Sequence, residues 1–233
     1  MATGNDLLSE VTAIFATNWE SREGQQVPEP TSVALGNDAV KLNATVLYAD
    51  LAESTNLVDS ETASFAAEIY KSYLVCATRI IKDEGGVITA FDGDRVMGVF
   101  IGQTKNTSAV KSALKINYAV TQLINPALNK QYPNKQYEVR QAVGVDTSEL
   151  FVARTGIRGS NDLVWVGRAA NYAAKLCSLR SESYASWITK DVFDAMLEEV
   201  KTSSDGRPMW EQRIWTARNN MTIYRSLWRW RID

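Results

Sequence analysis

The sequence predicts an α+β fold, one sheet built around a βαββαβ core with helices packed against it. Three observations carry that expectation. Short apolar, β-prone runs alternate with longer stretches of helical period. Their order begins strand, helix, hairpin, helix, strand. The pair Asp92-Gly93 separates two short strands, the signal of a two-residue hairpin turn.

From the N-terminus, Asp6 to Glu20 reads as a short amphipathic helix, with Leu7, Leu8, Val11, Ile14 and Phe15 near helical spacing. Ser21 to Gly36 is polar, contains Pro28 and Pro30, and reads as a linker. Residues 1–39 are therefore expected to form a helix and linker, and residues 40–233 the compact domain. Ala44 to Asp50 is apolar and β-prone, a buried strand. Asp59 or Ser60 is expected to cap a long helix to about Lys82, with Ala66, Ile69, Tyr73, Ala77 and Ile80 on one face and Gly85-Gly86 ending it. Val87 to Phe91 and Arg95 to Ile101 form the hairpin. A second helix runs from about Thr107 to Ile124. Tyr137 to Val145 is a strand and Phe151 begins another. Leu163 to Val166 is a strand leading into a helix from about Arg168 to Leu179. Trp187-Ile188 is a short strand before a helix near Val192 to Val200. Trp210 to Ala217 and Met221 to Trp230 close the chain as an antiparallel pair. The core order is ferredoxin-like. That fold hosts many activities, so function has to be argued from the site.

Composition narrows the chemistry. Hydrophobic residues make up 45% and charged residues 22%, with a net charge of −2, so no global positive field attracts nucleic acid or anionic membrane. No run of 18 apolar residues is present. The N-terminus lacks the basic-then-apolar pattern of a secretion signal, and a cytoplasmic location is expected. Cys76 and Cys177 each lie in an apolar helical pattern and are expected to be buried free thiols. The chain has no histidine. Ser-His-Asp and Cys-His catalysis and histidine metal sites are thereby excluded, leaving carboxylates, metals, amines and tyrosines.

Two segments stand out. In Ala-Asp50-Leu-Ala-Glu-Ser-Thr55 a buried strand ends in a carboxylate followed by a small polar loop. In Phe91-Asp-Gly-Asp94-Arg-Val-Met a hairpin turn ends in a carboxylate beside an apolar strand. Taken singly, each is also an ordinary strand end or turn. In one βαββ unit, however, the first strand neighbours the hairpin, and Asp50 and Asp94 can face each other. Two close carboxylates repel unless a cation lies between them. Hard oxygen ligands suit Mg²⁺ or Mn²⁺, and two such ions can activate a hydroxyl and neutralise phosphate charge in an in-line displacement. The loop Leu51, Ala52, Glu53, Ser54, Thr55 leads toward a helix and can offer backbone N–H groups to a triphosphate.

Asp50-Leu-Ala-Glu-Ser-Thr55 resembles the first metal-aspartate motif of class III adenylate/guanylate cyclases. Gly93-Asp94 followed by Val96-Met97-Gly-Val-Phe100 resembles the second. The likeness runs from about Ala44 to Leu179. It implies cyclisation of a nucleoside triphosphate, with two divalent ions per site held by Asp50, Asp94 and the Leu51 backbone carbonyl. Val164-Trp-Val-Gly-Arg-Ala-Ala-Asn171-Tyr-Ala-Ala-Lys175-Leu resembles the family's strand-to-helix segment. Asn171 falls on the asparagine that orients the ribose. Lys175 falls where the family usually has a transition-state arginine; lysine keeps the charge and loses the planar fork, and Arg168 is a candidate to compensate. The resemblance further implies a head-to-tail homodimer with two composite sites.

The family's two base-reading positions fall on Ala90 and Val164, neither of which can hydrogen-bond a purine edge. Phe91-Asp-Gly-Asp-Arg95 also resembles the pyrimidine cyclases of the Pycsar antiphage systems. That likeness implies cyclic UMP or cyclic CMP as product, made after phage infection and read by a separate effector. Tyr48 shares a strand face with Asp50, and Arg95 abuts Asp94, so either can help place nucleotide. Arg225, Arg229 and Arg231 are C-terminal cation candidates for phosphate. An adenylate cyclase and a non-catalytic cyclase-like module stay open as alternatives.

Overall fold

The computed structural model describes residues 2–179 and 184–232. The helices are α1 (Gly4–Ala16), α2 (Ser54–Ser60), α3 (Ala63–Asp83), α4 (Lys105–Tyr118), α5 (Asn125–Gln131), α6 (Arg168–Leu176) and α7 (Lys190–Ala195). The strands are β1 (Glu20–Glu23), β2 (Asp38–Leu51), β3 (Val87–Asp92), β4 (Arg95–Phe100), β5 (Gln141–Ile157), β6 (Ser160–Val166), β7 (Ser186–Thr189), β8 (Glu211–Trp215) and β9 (Met221–Ser226). They form one sheet in the order β3-β4-β2-β5-β7-β9-β8, with β1 beside β2 and β6 beside β5. The segment β3-β4-β2-β5 is the ferredoxin-like core that the element order implied.

Strand alternation divides β2 between two cores. Leu47, Ala49 and Leu51 face α3 and α4 and pack with Ile69, Tyr73 and Leu114. Leu42, Ala44 and Val46 face the opposite side, where α6 lays Ala169, Ala170 and Ala173 on the sheet. Alanines let that helix approach closely, and Gly144 of β5 completes the fit: a Cβ there would stand 2.2 Å from the Ala173 carbonyl oxygen. Gly144→Ala is expected to destabilise the protein by roughly 3 kcal/mol, because neither backbone can yield without moving the helix. The shift of the urea unfolding midpoint measures it.

Several boundaries differ from the sequence reading. α1 ends at Ala16, and Glu20–Glu23 leaves the expected linker to pair in parallel with Asp38–Lys41. All four β1 residues are exposed, so no hydrophobic alternation announced the strand. The long helix is α3, capped by Thr62 rather than Asp59 or Ser60, with the Thr62 hydroxyl accepting from the Phe65 N–H at 3.4 Å, and a short helix, α2, precedes it where a loop was expected. Gly85, at φ 83°, does end α3. The strands expected at Tyr137–Val145 and from Phe151 are one 17-residue strand, β5. Its polar middle mimicked a turn, but Thr147 pairs with Thr45 and their hydroxyls lie 3.0 Å apart. Past α4 the chain passes through a π-helical stretch, Ala119–Ile124, into α5. The helix expected over Val192 to Val200 stops at Ala195, followed by a 3-10 turn. Cys76 is half-buried, and Cys177 is buried with its thiol donating to the Ala174 carbonyl. Among the described residues no helix is long and apolar enough to cross a membrane.

Candidate active site

β2 delivers Asp50 to its C-terminal end, 6% exposed, on the α6 side of the sheet. Its register partner is Arg95, the first residue of β4. The Arg95 Nε lies 3.8 Å from the Asp50 carboxylate, and the guanidinium stands 6.0 Å from the centre of the Tyr48 ring. Tyr48, Asp50 and Arg95 therefore share one face, and burial pushes the Tyr48 phenol up from its ordinary value. Ala90 of β3 pairs with Met97, which pairs with Tyr48, so Ala90 lies on that face too.

The hairpin turn is shifted by one residue from the expected one. Asp92 belongs to β3 and pairs with Arg95, and the two turn residues are Gly93 and Asp94. Gly93 has φ 61° and Asp94 keeps negative φ, the pattern of a type II′ turn, which favours glycine first. The shift places Asp94 in the turn, one residue beyond the Asp50–Arg95 pair. Strand spacing and rise put the two aspartate backbones on the order of 6 Å apart. The Asp94 Oδ2 is buried and has no hydrogen-bond partner.

After Leu51 the chain turns through Ala52 and Glu53. Glu53 holds φ 61°, a strained value for a residue with a side chain. Ser54 and Thr55 open α2, whose first turn has no side-chain cap. The Ala52 N–H donates to the Arg140 carbonyl, and the Arg140 guanidinium holds the Glu53 carboxylate at 2.7 Å. Arg140 was absent from the sequence reading. Its only signal was a cation leading into a strand beside that of Asp50. A cavity of about 250 Å³ lies behind this loop, lined in part by Ala52, Glu53, Arg140 and Gln141.

α6 brings Asn171 and Lys175 together, with the Lys175 ammonium donating to the Asn171 side-chain oxygen. Arg168 does not join them. It forms ion pairs with Asp146 of β5 at 3.1 Å and with Asp191 of α7. The suggestion that Arg168 stands in for the missing arginine fork gives way to these contacts, since its donors already have partners. Val164 of β6 pairs with Ala153, on the face opposite to Ala90. The two expected base-reading positions are not gathered within one chain. Of the C-terminal cations, Arg225 stacks on Tyr184 at 3.6 Å and pairs with Glu211 at 2.8 Å. Arg229 and Arg231 lie beyond the last strand and are exposed.

No protein-family model matches the chain. The uridylate cyclase of Xanthomonas perforans is 52% identical over 234 residues, covering 100% of both chains. The chain belongs to the uridylate cyclase family. The uridylate cyclase of Burkholderia cepacia is 47% identical over 234 residues, again covering 100% of both chains. Among solved structures, a bacterial light-regulated adenylyl cyclase superposes with a TM-score of 0.70 at 19% identity, over 87% of this chain and 56% of that one. The guanylyl cyclase Cya2 superposes with a TM-score of 0.68 at 17% identity, over 82% of this chain and 94% of that one. This uridylate cyclase family member is thus a nucleotide cyclase with the α+β fold of class III catalytic domains.

Proposed function

We propose that this chain converts UTP into 3′,5′-cyclic UMP and pyrophosphate at a site that needs divalent cations and two copies of the chain. The observation that supports it most is the pairing of buried Asp50 with the orphaned Asp94 oxygen at one end of adjacent strands. An acceptor-only group buried without a donor is costly, and a hard cation relieves that cost. The donor set fits Mg²⁺ or Mn²⁺: two carboxylates, with the Leu51 backbone carbonyl beside them. Among the described residues no cluster of three or more acidic or thiol side chains gathers, so the remaining ligands fall to substrate phosphates and water. When bound, such ions would make the attacking hydroxyl more acidic and offset phosphate charge.

The reaction forms a bond from the ribose 3′-oxygen to the α-phosphorus and breaks the bond to the β-phosphate bridging oxygen. The 3′-hydroxyl proton is lost and pyrophosphate leaves. Backbone N–H groups of Glu53, Ser54 and Thr55 face the triphosphate, whereas that of Ala52, expected to join them, is given to the Arg140 carbonyl. Asn171 orients the ribose, and Lys175 supplies positive charge to the crowded α-phosphoryl group.

Pyrimidine choice follows from the lining. Tyr48 fills the face beside Asp50, and Ala90 on that same face offers no side-chain donor or acceptor to a purine edge. The relatives' naming as uridylate cyclases supports the same choice. With Mn²⁺ and each of the four nucleoside triphosphates in turn, UTP is expected to turn over at least about tenfold faster than CTP, ATP or GTP. Tyr48→Ala is expected to lower the UTP-to-ATP ratio of kcat/KM by about tenfold or more, by opening the slot. Turnover of ATP alone by the unaltered protein would falsify the assignment. A cytoplasmic source of cyclic UMP for a separate antiphage effector is the physiological role this proposal carries, and product formation that rises on phage infection tests it.

A further inference from the structure

The start of α6 is held by more contacts than a helix terminus needs. Asp146 is fully buried on β5. The Arg168 Nε and one terminal nitrogen donate to its two oxygens at 3.1 and 3.3 Å. The Thr189 hydroxyl, at the junction of β7 and α7, donates to Asp146 at 2.6 Å. The same Arg168 nitrogen also donates to the Thr147 carbonyl at 2.7 Å and reaches the Asp191 carboxylate. One residue on, the Ala169 N–H donates to the Ser148 hydroxyl at 3.0 Å. Burial pushes the Asp146 carboxyl up, and the Thr189 hydroxyl and Arg168 charge offset that.

A buried ion pair of this kind is poor evidence of net stability, since desolvation cancels most of its attraction. Its geometry does something else. A planar fork bound at two oxygens fixes direction as well as distance. Arg168 is the first residue of α6, so fixing it to β5 and α7 sets how the helix is rotated about its axis. Asn171 lies three residues on and Lys175 seven, nearly one and two turns along the same face. On the far side Gly144 leaves no slack against Ala173.

We propose that Arg168 is a positioning residue: its bidentate pair with buried Asp146, braced by Asp191, sets the rotation of α6 and thereby the aim of Asn171 and Lys175. This rests on the substrate-facing roles given to those two residues under the proposed function. Small misplacement of a group that acts at the reacting atoms is worth up to about a hundredfold in rate. It leaves ground-state binding by the loop and aspartates nearly unchanged.

The test is a double-mutant cycle on the full-length protein with UTP and Mn²⁺. Arg168→Lys keeps the charge and loses the fork; kcat is expected to fall about 30-fold with KM within about threefold. In an Asn171→Ala background, the same Arg168→Lys change is expected to cost less than about threefold, because the group being aimed is gone. Should Arg168→Lys fold poorly by circular dichroism, Asp191→Asn loosens only the exposed arm of the clamp. It is expected to lower kcat about fivefold at unchanged melting temperature, again only when Asn171 is present. Wild-type kcat in folded Arg168→Lys, or equal losses in both backgrounds, overturns the proposal alone. A KM raised tenfold with kcat intact also overturns it, since Arg168 would then be touching substrate. Full activity of Asn171→Ala overturns the reading beneath it, and the proposal with it.

Discussion

Replacing both Asp50 and Asp94 with alanine is expected to lower cyclic-nucleotide formation by at least about 10³-fold while leaving the fold intact. The size follows from what the pair is proposed to supply. The chain has no histidine, so no imidazole can take over either proton removal or metal binding. Among the described residues, the acids that meet at the end of β2 beside the loop Leu51 to Thr55 are Asp50 and, in the turn before β4, Asp94, while the Glu53 carboxylate is held by Arg140. The stability side has the opposite sign. Two carboxylates near each other repel, and the buried Asp94 oxygen has no donor, so removing both relieves strain in metal-free buffer. The loss at Arg95 is small, since that side chain is 32% exposed and its ion pair is long at 3.8 Å. The double variant is therefore expected to melt no lower than the unaltered protein without metal, and to lose any stabilisation by Mn²⁺. Near-normal product formation by the double variant, measured with UTP and Mn²⁺, would remove the metal assignment.

Mixing two inactive chains should restore activity. Asp50→Ala keeps Asn171 and Lys175; Asn171→Ala keeps both aspartates. The physical case is the thickness of a helix. α6 presses Ala173 onto Gly144, which is the register partner of Tyr48 and so lies in the row that leads to Asp50. Asn171 and Lys175 each sit two residues from Ala173, about 200° around the helix, and point away from the sheet. A helix body on the order of 10 Å across separates the two sets. A single nucleotide is better served by the aspartates of one copy and the α6 face of another. Random pairing gives half heterodimers, each with one intact composite site, so about a quarter of the unaltered activity is expected on mixing. No recovery after co-refolding, with dimers present by light scattering, would place the whole site within one chain.

The two aspartate motifs were legible because each is contiguous and each obeys local rules. A strand that ends in a carboxylate, and an Asp-Gly turn signal followed by a carboxylate between apolar runs, can be read without knowing what lies across from them. The same is true of Asn171 and Lys175, four residues apart on one helix face, and of the stripes of α3. Arg168 was legible as a cation and misread as to use. Its partners Asp146 and Asp191 come from other elements, 22 and 23 residues away. Arg140 and the β1 strand were missed for a related reason. A strand paired only at its edge and exposed on every residue leaves no periodic trace, and a lone arginine carries no sign of the glutamate it will meet.

By itself, then, the sequence determined the core order, the excluded chemistries, the acidic pair and the cyclase likeness, because these depend on residue type and short spacing. Only the tertiary structure decided the strand register. That register put Asp94 in the turn one residue beyond the Asp50–Arg95 pair, turned Arg168 into a clamp, and parted Ala90 from Val164. Register and ion pairing are long-range. They come from which apolar faces are buried together, and that is not settled until distant segments meet.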